Sequence, residues 1–356
     1  MTATIRVAGA ADVAAIADLL RERDGAAHPT TAVAGYLADL DPSRITVWLA
    51  EKEGRPVGIN AVYLRALTTP SGALRAGYWG HLYVRPEARA IMVYPQLVMA
   101  MLRWAQAGGA DLIYTATRQE HVAAAHLKLG FIKIVTLPVL LRPLRPGRLV
   151  ASRSRAVRRW AGWAVPLVDA AVSAGRAAVG LPGRTAAMRA VRADDHAAAE
   201  FAALQSGLEG YIRTAWTVPD WLRRFSGTIE GQAYRAAVAP WAGTAEAGVL
   251  VRIAERGSPA VRIGVVLDLV DRSPGRSHCV ALLRWAEQQA VEAGADAMIA
   301  LPALAETERR PYRARGYWTA PETYTLLYRP TSPRGRTETL RDPAAWRFSF
   351  AEHDAF

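Results

Sequence analysis

Few residues of the sequence are of a type and spacing that could do chemistry. The seven histidines show no metal-binding spacing, no Ser-His-Asp order is convincing, and no metal site is predicted. The single cysteine, Cys279, excludes an intramolecular disulfide and a cysteine-based zinc site. His126 and Tyr312 can each do acid work, because a histidine titrates near neutrality and a phenol is a positioned donor. A purely structural role in a helix is the plainer interpretation of both residues.

The elements that must position His126 follow one another between residues 81 and 131. An apolar, β-branched run before Pro86 predicts a strand, and apolar residues close to the 3.6-residue period predict a helix that begins near Met92. A second strand is predicted over 112–115, and an Ala-rich helix ends at Gly130. Upstream, the pattern predicts a strand at 5–7, a helix over 12–21 and a hairpin of 45–51 with 57–64.

A second copy of this arrangement lies downstream and contains Tyr312. Leu-Arg-Trp-Ala at 102–105 recurs at 283–286, Gly-Ala-Asp at 109–111 recurs at 294–296, and the Gly-aromatic pair at 130–131 recurs at 316–317. The order of the three matches is the same in both copies. A duplicated domain is therefore predicted.

The first copy, with Val84, Pro86 and Arg89 before its first helix and Leu-Gly-Phe after its second, resembles the acyl-coenzyme-A-binding core of the GNAT acyltransferase superfamily. The resemblance implies an α/β (α+β) chain of two tandem GNAT folds, each a mixed, mostly antiparallel sheet flanked by helices. The expected domains are an N-terminal GNAT-like domain at 1–141, a basic linker at 142–189, a C-terminal GNAT-like domain at 190–330 and a tail at 331–356.

In that family an R/Q-x-x-G-x-G/A turn precedes the first helix, because glycines let backbone N–H groups approach a pyrophosphate. The first copy has Arg89 in register, but Met92 and Tyr94 stand where small residues are expected, and Pro95 removes a donor. This turn is predicted to be a poor phosphate cradle.

The second copy satisfies the pattern better. Arg272, Gly275 and Ser277 match R-x-x-G-x-small, and Ser277 could cap the helix. Asp268 and Asp271, however, put negative charge near any bound phosphate. The interpretation stays open between an anion site and an ordinary turn.

The resemblance also implies roles for single residues. The family often places a tyrosine five residues before the closing aromatic residue, as the acid that reprotonates the thiolate leaving group. His126 holds that place in the first copy and Tyr312 in the second, while Gln119 falls where the family commonly has asparagine. Backbone N–H groups of the central strand would polarise the acyl carbonyl. The expected donor-binding residues are therefore Tyr83, Val84, Arg89, Gln119, Arg272, Gly275 and Ser277.

The net charge of +12 is carried almost wholly by arginine and favours polyanionic partners. Between Arg142 and Arg192 lie eleven arginines and the single acid Asp169. A basic helix over 153–167, kinked near Pro166, is predicted there. It is open to three interpretations: an interdomain brace, a nucleic-acid-facing patch or a membrane-surface helix. The nucleic-acid-binding candidates are Arg153, Arg155, Arg158 and Arg159.

The beginning of the sequence lacks the features of a secretion signal, and no run is apolar enough to span a membrane, so a cytoplasmic protein is expected. The tail is polar until the alternating run 346–350, which is expected to add an edge strand or to pack across a cleft.

Two such domains in one chain are similar in layout to mycothiol synthase, which uses acetyl-CoA, and to Fem-type and antibiotic-biosynthesis transferases, which take an aminoacyl group from tRNA. An aminoacyl-tRNA donor needs basic surface rather than a pyrophosphate cradle. The predicted function is an N-acyltransferase that forms an amide on an amine-bearing small molecule, such as a natural product. The expected donor is aminoacyl-tRNA, with no cofactor; the alternatives are acyl-CoA (acetyl-CoA) as co-substrate and a non-catalytic nucleic-acid or regulatory binding module.

Overall fold

The computed structural model describes residues 3–24, 41, 43–154, 159, 164–179, 188–191, 195–208, 210–225, 228–229, 232–240, 244–256, 261–272 and 278–353. Thirteen strands of this part of the chain form one sheet, and two short strands form a separate ribbon. In chain order the strands are β1 (Thr4–Val7), β2 (Ile45–Lys52), β3 (Arg55–Thr69), β4 (Gly72–Val84), β5 (Leu112–Thr117), β6 (Ile132–Pro143), β7 (Arg189–Val191), β8 (Arg213–Thr214), β9 (Thr228–Ile229), β10 (Gln232–Ala233), β11 (Arg235–Ala239), β12 (Ala247–Arg256), β13 (Val261–Asp271), β14 (Ala297–Ala300) and β15 (Trp318–Pro330).

Helices flank this sheet on both faces. They are α1 (Val13–Asp24), α2 (Val93–Trp104), α3 (Glu120–Lys128), α4 (Pro146–Arg153), α5 (Val165–Val179), α6 (Asp195–Ser206), α7 (Val218–Phe225), α8 (His278–Glu292) and α9 (Glu306–Ala314). The core on the α1 face is continuous across both halves of the chain, and α6, α7 and the tail complete it. The opposite face has two cores, one under α2 and one under α8.

The order of strands is β1-β2-β3-β4-β5-β15-β6-β14-β13-β12-β11-β7, with β8 on β3. Neighbours are antiparallel except β4 with β5 and β13 with β14. The predicted fold class, a mixed and mostly antiparallel sheet flanked by helices, is confirmed.

The two halves of the chain exchange their last strands, since β15 lies between β5 and β6, and β6 lies between β15 and β14. The exchange is reciprocal. The Thr331 N–H after β15 donates to the Asp111 carbonyl before β5 at 2.9 Å, and the Leu144 N–H after β6 donates to the Asp296 carbonyl before β14 at 2.8 Å. The sheet therefore runs without a break across the linker, while the domain bounds at 141, 190 and 330 stay a prediction.

The predicted basic helix with a kink lies only partly within the described residues. α4 ends at Arg153, and Pro166 is the second residue of α5. In a first helical turn the missing proline N–H has no intrahelical acceptor, so Pro166 fits the beginning of α5, and the predicted kink stays a prediction. Most of the residues between, 155–158 and 160–163, lie outside the described part of the chain.

Several strands are longer than their apolar patterns predict. β4 begins at Gly72, because its pairing with β3 continues to the turn, and β6 extends to Pro143, because it pairs with β15 and β14 in succession. α2 begins at Val93, one residue after the predicted position.

Candidate active site

Each half of the sheet contains one pair of parallel strands that separate. β4 and β5 pair up to Tyr78 and Tyr114, and β13 and β14 pair up to Val266 and Ala300. We call the space between 80–84 and 115–117 the first fork, and the space between 267–271 and 301–303 the second fork. Where paired strands separate, edge N–H and C=O groups need other partners or a ligand.

Matching backbone bonds frame the two forks. The Asp111 N–H donates to the Arg75 carbonyl, and the Asp296 N–H donates to the Arg262 carbonyl, both at 2.6 Å. The Asp111 and Asp296 carboxylates accept from the N–H groups of the same two arginines. Counted from these bonds, His81 matches Asp268 and Leu82 matches Leu269.

The second fork is filled by the C-terminal tail. Arg347 is 6% exposed and donates to the Asp268 carboxylate at 2.7 Å and to the Leu269 carbonyl at 2.8 Å. The Ala351 N–H donates to the Leu267 carbonyl at 2.9 Å. A cavity of about 10 Å³ is left, which is room for about one water molecule.

The tail thus takes the second of its two predicted arrangements and packs across a cleft. It makes a single bridge to Ile212 through Trp346, and Trp346, Phe348 and Phe350 are buried. Their burial against the α1 face holds the polar part of the tail in place.

Within the described part of the chain, no segment fills the first fork. Gly80, His81, Leu82 and Tyr83 are half-buried, whereas 267–269 are buried. Within the described part of the chain, the backbone bonds of Leu82 and Tyr83 are those of the β3–β4 ladder alone. The floor of the fork is closed by the Thr115 hydroxyl, which donates to the Trp79 carbonyl at 2.9 Å.

Two residues at the first fork hold a backbone conformation that favours glycine. Among the described residues other than glycine, φ is positive at Glu53 (55°), His81 (41°) and Met92 (61°). Such a conformation costs a residue with a Cβ atom roughly 1–2 kcal/mol. Met92 stands where the family's motif has its first glycine, so the turn before α2 keeps a glycine-like backbone although its sequence does not match.

The donor-binding residues predicted in the first copy surround the first fork. Tyr83 and Val84 end β4, and the exposed Gln119 precedes α3 two residues after β5. Arg89 is exposed on the turn before α2, and its Nε donates to the Val84 carbonyl at 3.2 Å.

The predicted residues of the second copy are placed less favourably for a donor. The Arg272 N–H donates to the Glu246 carbonyl at 2.9 Å, just as the Arg85 N–H donates to the Val57 carbonyl at 2.9 Å. Arg272 thus matches Arg85 at a strand end rather than Arg89 in the turn. Gly275 and Ser277 lie outside the described residues.

His126 is buried and lies in a stack of rings. Its ring centroid is 4.3 Å from that of Trp79, and its Nδ1 is 2.6 Å from the Val122 carbonyl. Since a carbonyl only accepts, Nδ1 carries the proton and Nε2 does not. Burial lowers the pKa of His126, so the ring is neutral at neutral pH and has no proton on Nε2 to give. This geometry supports a packing role for His126 rather than the predicted acid role.

Tyr312 lies in the other half of the chain, at the wall of the second fork. Burial raises its pKa well above the ordinary value, so the phenol keeps its proton. Arg347 and Phe348 line the same small cavity, and the structure does not bring Tyr312 together with His126.

A larger cleft of about 260 Å³ opens beside the second fork. Its polar lining includes the carboxylates of Asp271 and Glu308 together with Arg272. Burial raises the pKa of the Cys279 thiol, also in the lining, so this sulfur is a poor nucleophile. The two carboxylates oppose the binding of a pyrophosphate.

The arginines proposed to face nucleic acid are only partly described. Arg153 ends α4, Arg159 is exposed, and Arg155 and Arg158 lie outside the described residues. Asp169, the one acid of the segment 142–192, is buried and accepts from the Gly147 N–H at 2.7 Å.

The sequence analysis did not select His81 or Arg347 as a site residue. His81 sits in an apolar strand with no motif around it, and Arg347 is one of many arginines. The alternating run 346–350 was the only available signal for the tail. Among the described residues no helix is long and apolar enough to span a membrane, and no cluster of His, Cys, Asp and Glu could hold a metal ion.

Residues 13–131 match the model of a family described as Acetyltransferase (GNAT) family. The match covers about a third of the chain and includes the first fork. No protein of curated function matches the sequence significantly.

Solved structures share the fold over most of the chain. A probable N-acyltransferase from Enterococcus faecalis has 11% identity and a TM-score of 0.61, covering 94% of this chain and 74% of that one. A GCN5-related N-acetyltransferase from Anabaena variabilis has 9% identity and a TM-score of 0.61, covering 93% and 73%. The N-myristoyltransferase of Saccharomyces cerevisiae with bound myristoyl-CoA has 11% identity and a TM-score of 0.63, covering 92% and 82%. At such identity the likeness concerns the fold. The family match and the fold together support the prediction of an acyltransferase.

Proposed function

We propose that the protein is an N-acyltransferase that takes its acyl group from acyl-CoA at the first fork and transfers it to the amine of a small molecule. The proposal rests on the open edge of β4. Within the described part of the chain, Leu82 and Tyr83 have only ladder bonds, whereas Leu269, which matches Leu82, is bonded to Asp268 and Arg347, and Leu267 accepts from Ala351. A strand edge whose groups bond no other described residue beyond the ladder fits the amide groups of a pantetheine arm.

The turn before α2 supports the same donor. The left-handed conformation at Met92 and the exposed Arg89 give the turn a backbone shape and a cation suited to a phosphate group. The sequence predicts a poor phosphate cradle here, but the backbone of the turn has a glycine-like conformation at Met92. An acyl-CoA donor therefore replaces aminoacyl-tRNA as the first choice.

The chemistry at the fork would be attack of a neutral amine on the thioester carbon. The amine nitrogen forms a C–N bond and loses a proton, the C–S bond breaks, and the thiolate leaves and takes up a proton. Backbone N–H groups beyond the fork would stabilise the developing oxyanion, for which preorganised donors are the most effective device.

The test compares two arginines that the sequence assigned to donor binding, one in each half. Both are exposed, so Arg89→Glu and Arg272→Glu leave the folded core intact. Arg89→Glu is expected to weaken binding of coenzyme A about tenfold or more, because a contact to a charged group is worth roughly 1.5–3 kcal/mol. Arg272→Glu is expected to change it little. Isothermal titration with coenzyme A measures both, and the opposite result would move the donor to the second half.

A transferase that uses aminoacyl-tRNA is the second candidate, and the charge of the segment 142–192 favours it. The segment carries eleven arginines, and its single acid is buried. This candidate predicts tRNA binding that weakens steeply with salt. It also predicts that changing Arg155, Arg158 and Arg159 to Glu abolishes transfer.

Three outcomes separate the candidates. Binding of coenzyme A that raises the thermal midpoint supports the proposal. No binding of coenzyme A, beside salt-sensitive binding of tRNA, contradicts it and makes aminoacyl-tRNA the donor. Binding without turnover on any of a panel of amines supports the non-catalytic alternative. The tandem-domain relationship to mycothiol synthase and Fem-type transferases and the natural-product acceptor remain proposals of the same kind.

A further inference from the structure

We propose that His81 is a catalytic residue whose imidazole N–H donates a hydrogen bond to the oxygen of the acyl carbonyl at the first fork. The inference deepens the proposed acyl transfer and rests on it. Three observations carry it: the backbone of His81, its contact with Arg23, and the residue at the matching place of the second fork.

The backbone places His81 in a bulge immediately beyond the point where β4 leaves β5. Gly80 pairs with Ala61 and Tyr83 pairs with Ile59, so His81 and Leu82 oppose Asn60 alone. His81 adopts φ 41° in this bulge. A glycine would adopt that conformation without strain. The chain has a histidine at this position although positive φ is unfavourable for a residue with a Cβ atom. Strain of this kind is concentrated at functional sites.

The contact with Arg23 decides which ring nitrogen carries the proton. Arg23 Nη1 lies 3.1 Å from His81 Nδ1. Because a guanidinium only donates, Nδ1 is the acceptor, and the proton of the neutral ring is on Nε2. The ring also meets Tyr63 edge to face, at 5.7 Å between centroids, which orients it on the α1 side of the sheet. Arg23 is thus a positioning residue that prepares His81 as a donor.

The matching place in the second fork holds Asp268. Its carboxylate accepts from the N–H of its own neighbour Leu269 at 2.9 Å and is paired with Arg347. An anion there repels a developing oxyanion and occupies an N–H group that could stabilise one. A neutral donor at one fork and a carboxylate at the other make the first fork the one suited to acyl transfer.

In the proposed step, the oxygen of the thioester carbonyl gains negative charge as the amine nitrogen bonds to the carbon. The His81 N–H donates to that oxygen and exchanges no proton. When the carbonyl re-forms, the C–S bond breaks and the thiolate leaves. The proton lost by the amine and the proton gained by the thiolate pass through other groups or water.

The experiment measures the infrared stretch of acetyl-CoA, isotope-labelled in its acetyl carbonyl and bound to the full chain, and needs no known acceptor. A hydrogen bond to the carbonyl lowers its stretching frequency. We expect a lowered frequency for the wild type and for His81→Gln, which keeps a side-chain N–H. We expect a value near that of free acetyl-CoA for His81→Gly.

Turnover with an amine gives the second readout. His81→Gly is expected to lower kcat about 10²–10³-fold, the usual loss of one oxyanion donor, with the donor KM little changed. His81→Gln is expected to retain much of the activity. Glu53→Gly is the matched control, because it relieves the same kind of backbone conformation in a turn away from the fork.

A merely structural His81 gives a different result. Glycine fits the backbone at 81, so a structural role predicts that His81→Gly keeps both the carbonyl frequency and kcat, and that outcome overturns the inference. Failure of the proposed function is distinguishable, because the wild type would then not bind acetyl-CoA at all.

Discussion

Backbone conformation at single residues distinguishes the two forks more clearly than residue type does. Met92 and His81 are not residues that a motif search selects, yet both hold positive φ beside the open edge of β4. Tyr312, which matches a family pattern, faces a space filled by the tail. Chemistry at this scale depends on what surrounds a group as much as on what the group is.

At Met92 the conformation predicts a stabilising substitution. Met92→Gly removes the clash of the Cβ atom, and Met92 is 62% exposed, so little packing is lost. The unfolding free energy should rise by about 0.5–1 kcal/mol, part of the relief being offset by the entropy of glycine. Urea unfolding measures it. Met99→Gly, at an exposed position inside α2, is the control and should be destabilising. A loss of stability in both variants contradicts the account.

Stability below neutral pH should depend on His126. Burial lowers the pKa of His126 in the folded protein, whereas the unfolded chain takes up a proton near the ordinary value of about 6.5. The unfolded state therefore binds more protons as the pH falls below about 6.5, and the folded state loses stability. His126→Gln removes this contribution.

The measurement is urea unfolding at about pH 7.5 and about pH 5.5, on either side of the ordinary histidine value. When the pH is lowered from the first value to the second, the unfolding free energy of the wild type should fall by more than that of His126→Gln. His121→Gln, at an exposed position of the same helix, should behave like the wild type. Equal losses in all three proteins would show that His126 is not buried as a neutral ring.

At the scale of elements, the tail decides the state of the second fork. It supplies a guanidinium and a backbone N–H to the edge of β13, the same kinds of group that a ligand would offer. The second fork has the same kinds of element as the first, namely two parallel strands and the helices α8 and α9. The space between its strands is nonetheless occupied by the tail. A complete set of elements is thus not sufficient for a binding site.

Removing Arg347 should be strongly destabilising. Its guanidinium bonds the buried Asp268 and the half-buried Glu308, and Arg347→Ala leaves both carboxylates without their cation, at a cost of about 3–5 kcal/mol. Arg341→Ala is the matched control, because Arg341 lies in the same tail, is 59% exposed and is 3.8 Å from Glu338. It should change the unfolding free energy by less than about 0.5 kcal/mol. Similar effects of the two substitutions would contradict the buried arrangement.

At the scale of the whole molecule, the exchange of β6 and β15 joins the halves. Each half depends on the other for a strand, and the core on the α1 face is continuous. The chain is therefore expected to unfold in one step despite its length. Tryptophan fluorescence and far-ultraviolet circular dichroism should give coincident urea transitions. Two separate transitions would show that the halves are independent.

Much of this fold could be predicted from local signals. The parallel strands, the helices between them and the glycine turns at Gly130 and Gly316 follow from periodicity and from turn residues, which act over a few positions. Gly130 and Gly316 have φ of 81° and 75°, which explains why glycine recurs there. The choice of Tyr83, Arg89 and Gln119 as donor-binding candidates came from the resemblance to the family rather than from these local signals.

The sequence by itself indicated the order of strands and helices in both halves, because apolar period and turn chemistry are local properties, and its resemblance to the GNAT family implied the fold class. Only the tertiary structure decided which fork is open. That difference depends on contacts between distant segments, such as Arg347 with Asp268 and Ala351 with Leu267, and on the strained backbone at His81 and Met92. Neither long-range contacts nor positive φ at residues other than glycine leave a local pattern, since each is imposed by the packing of the rest of the chain.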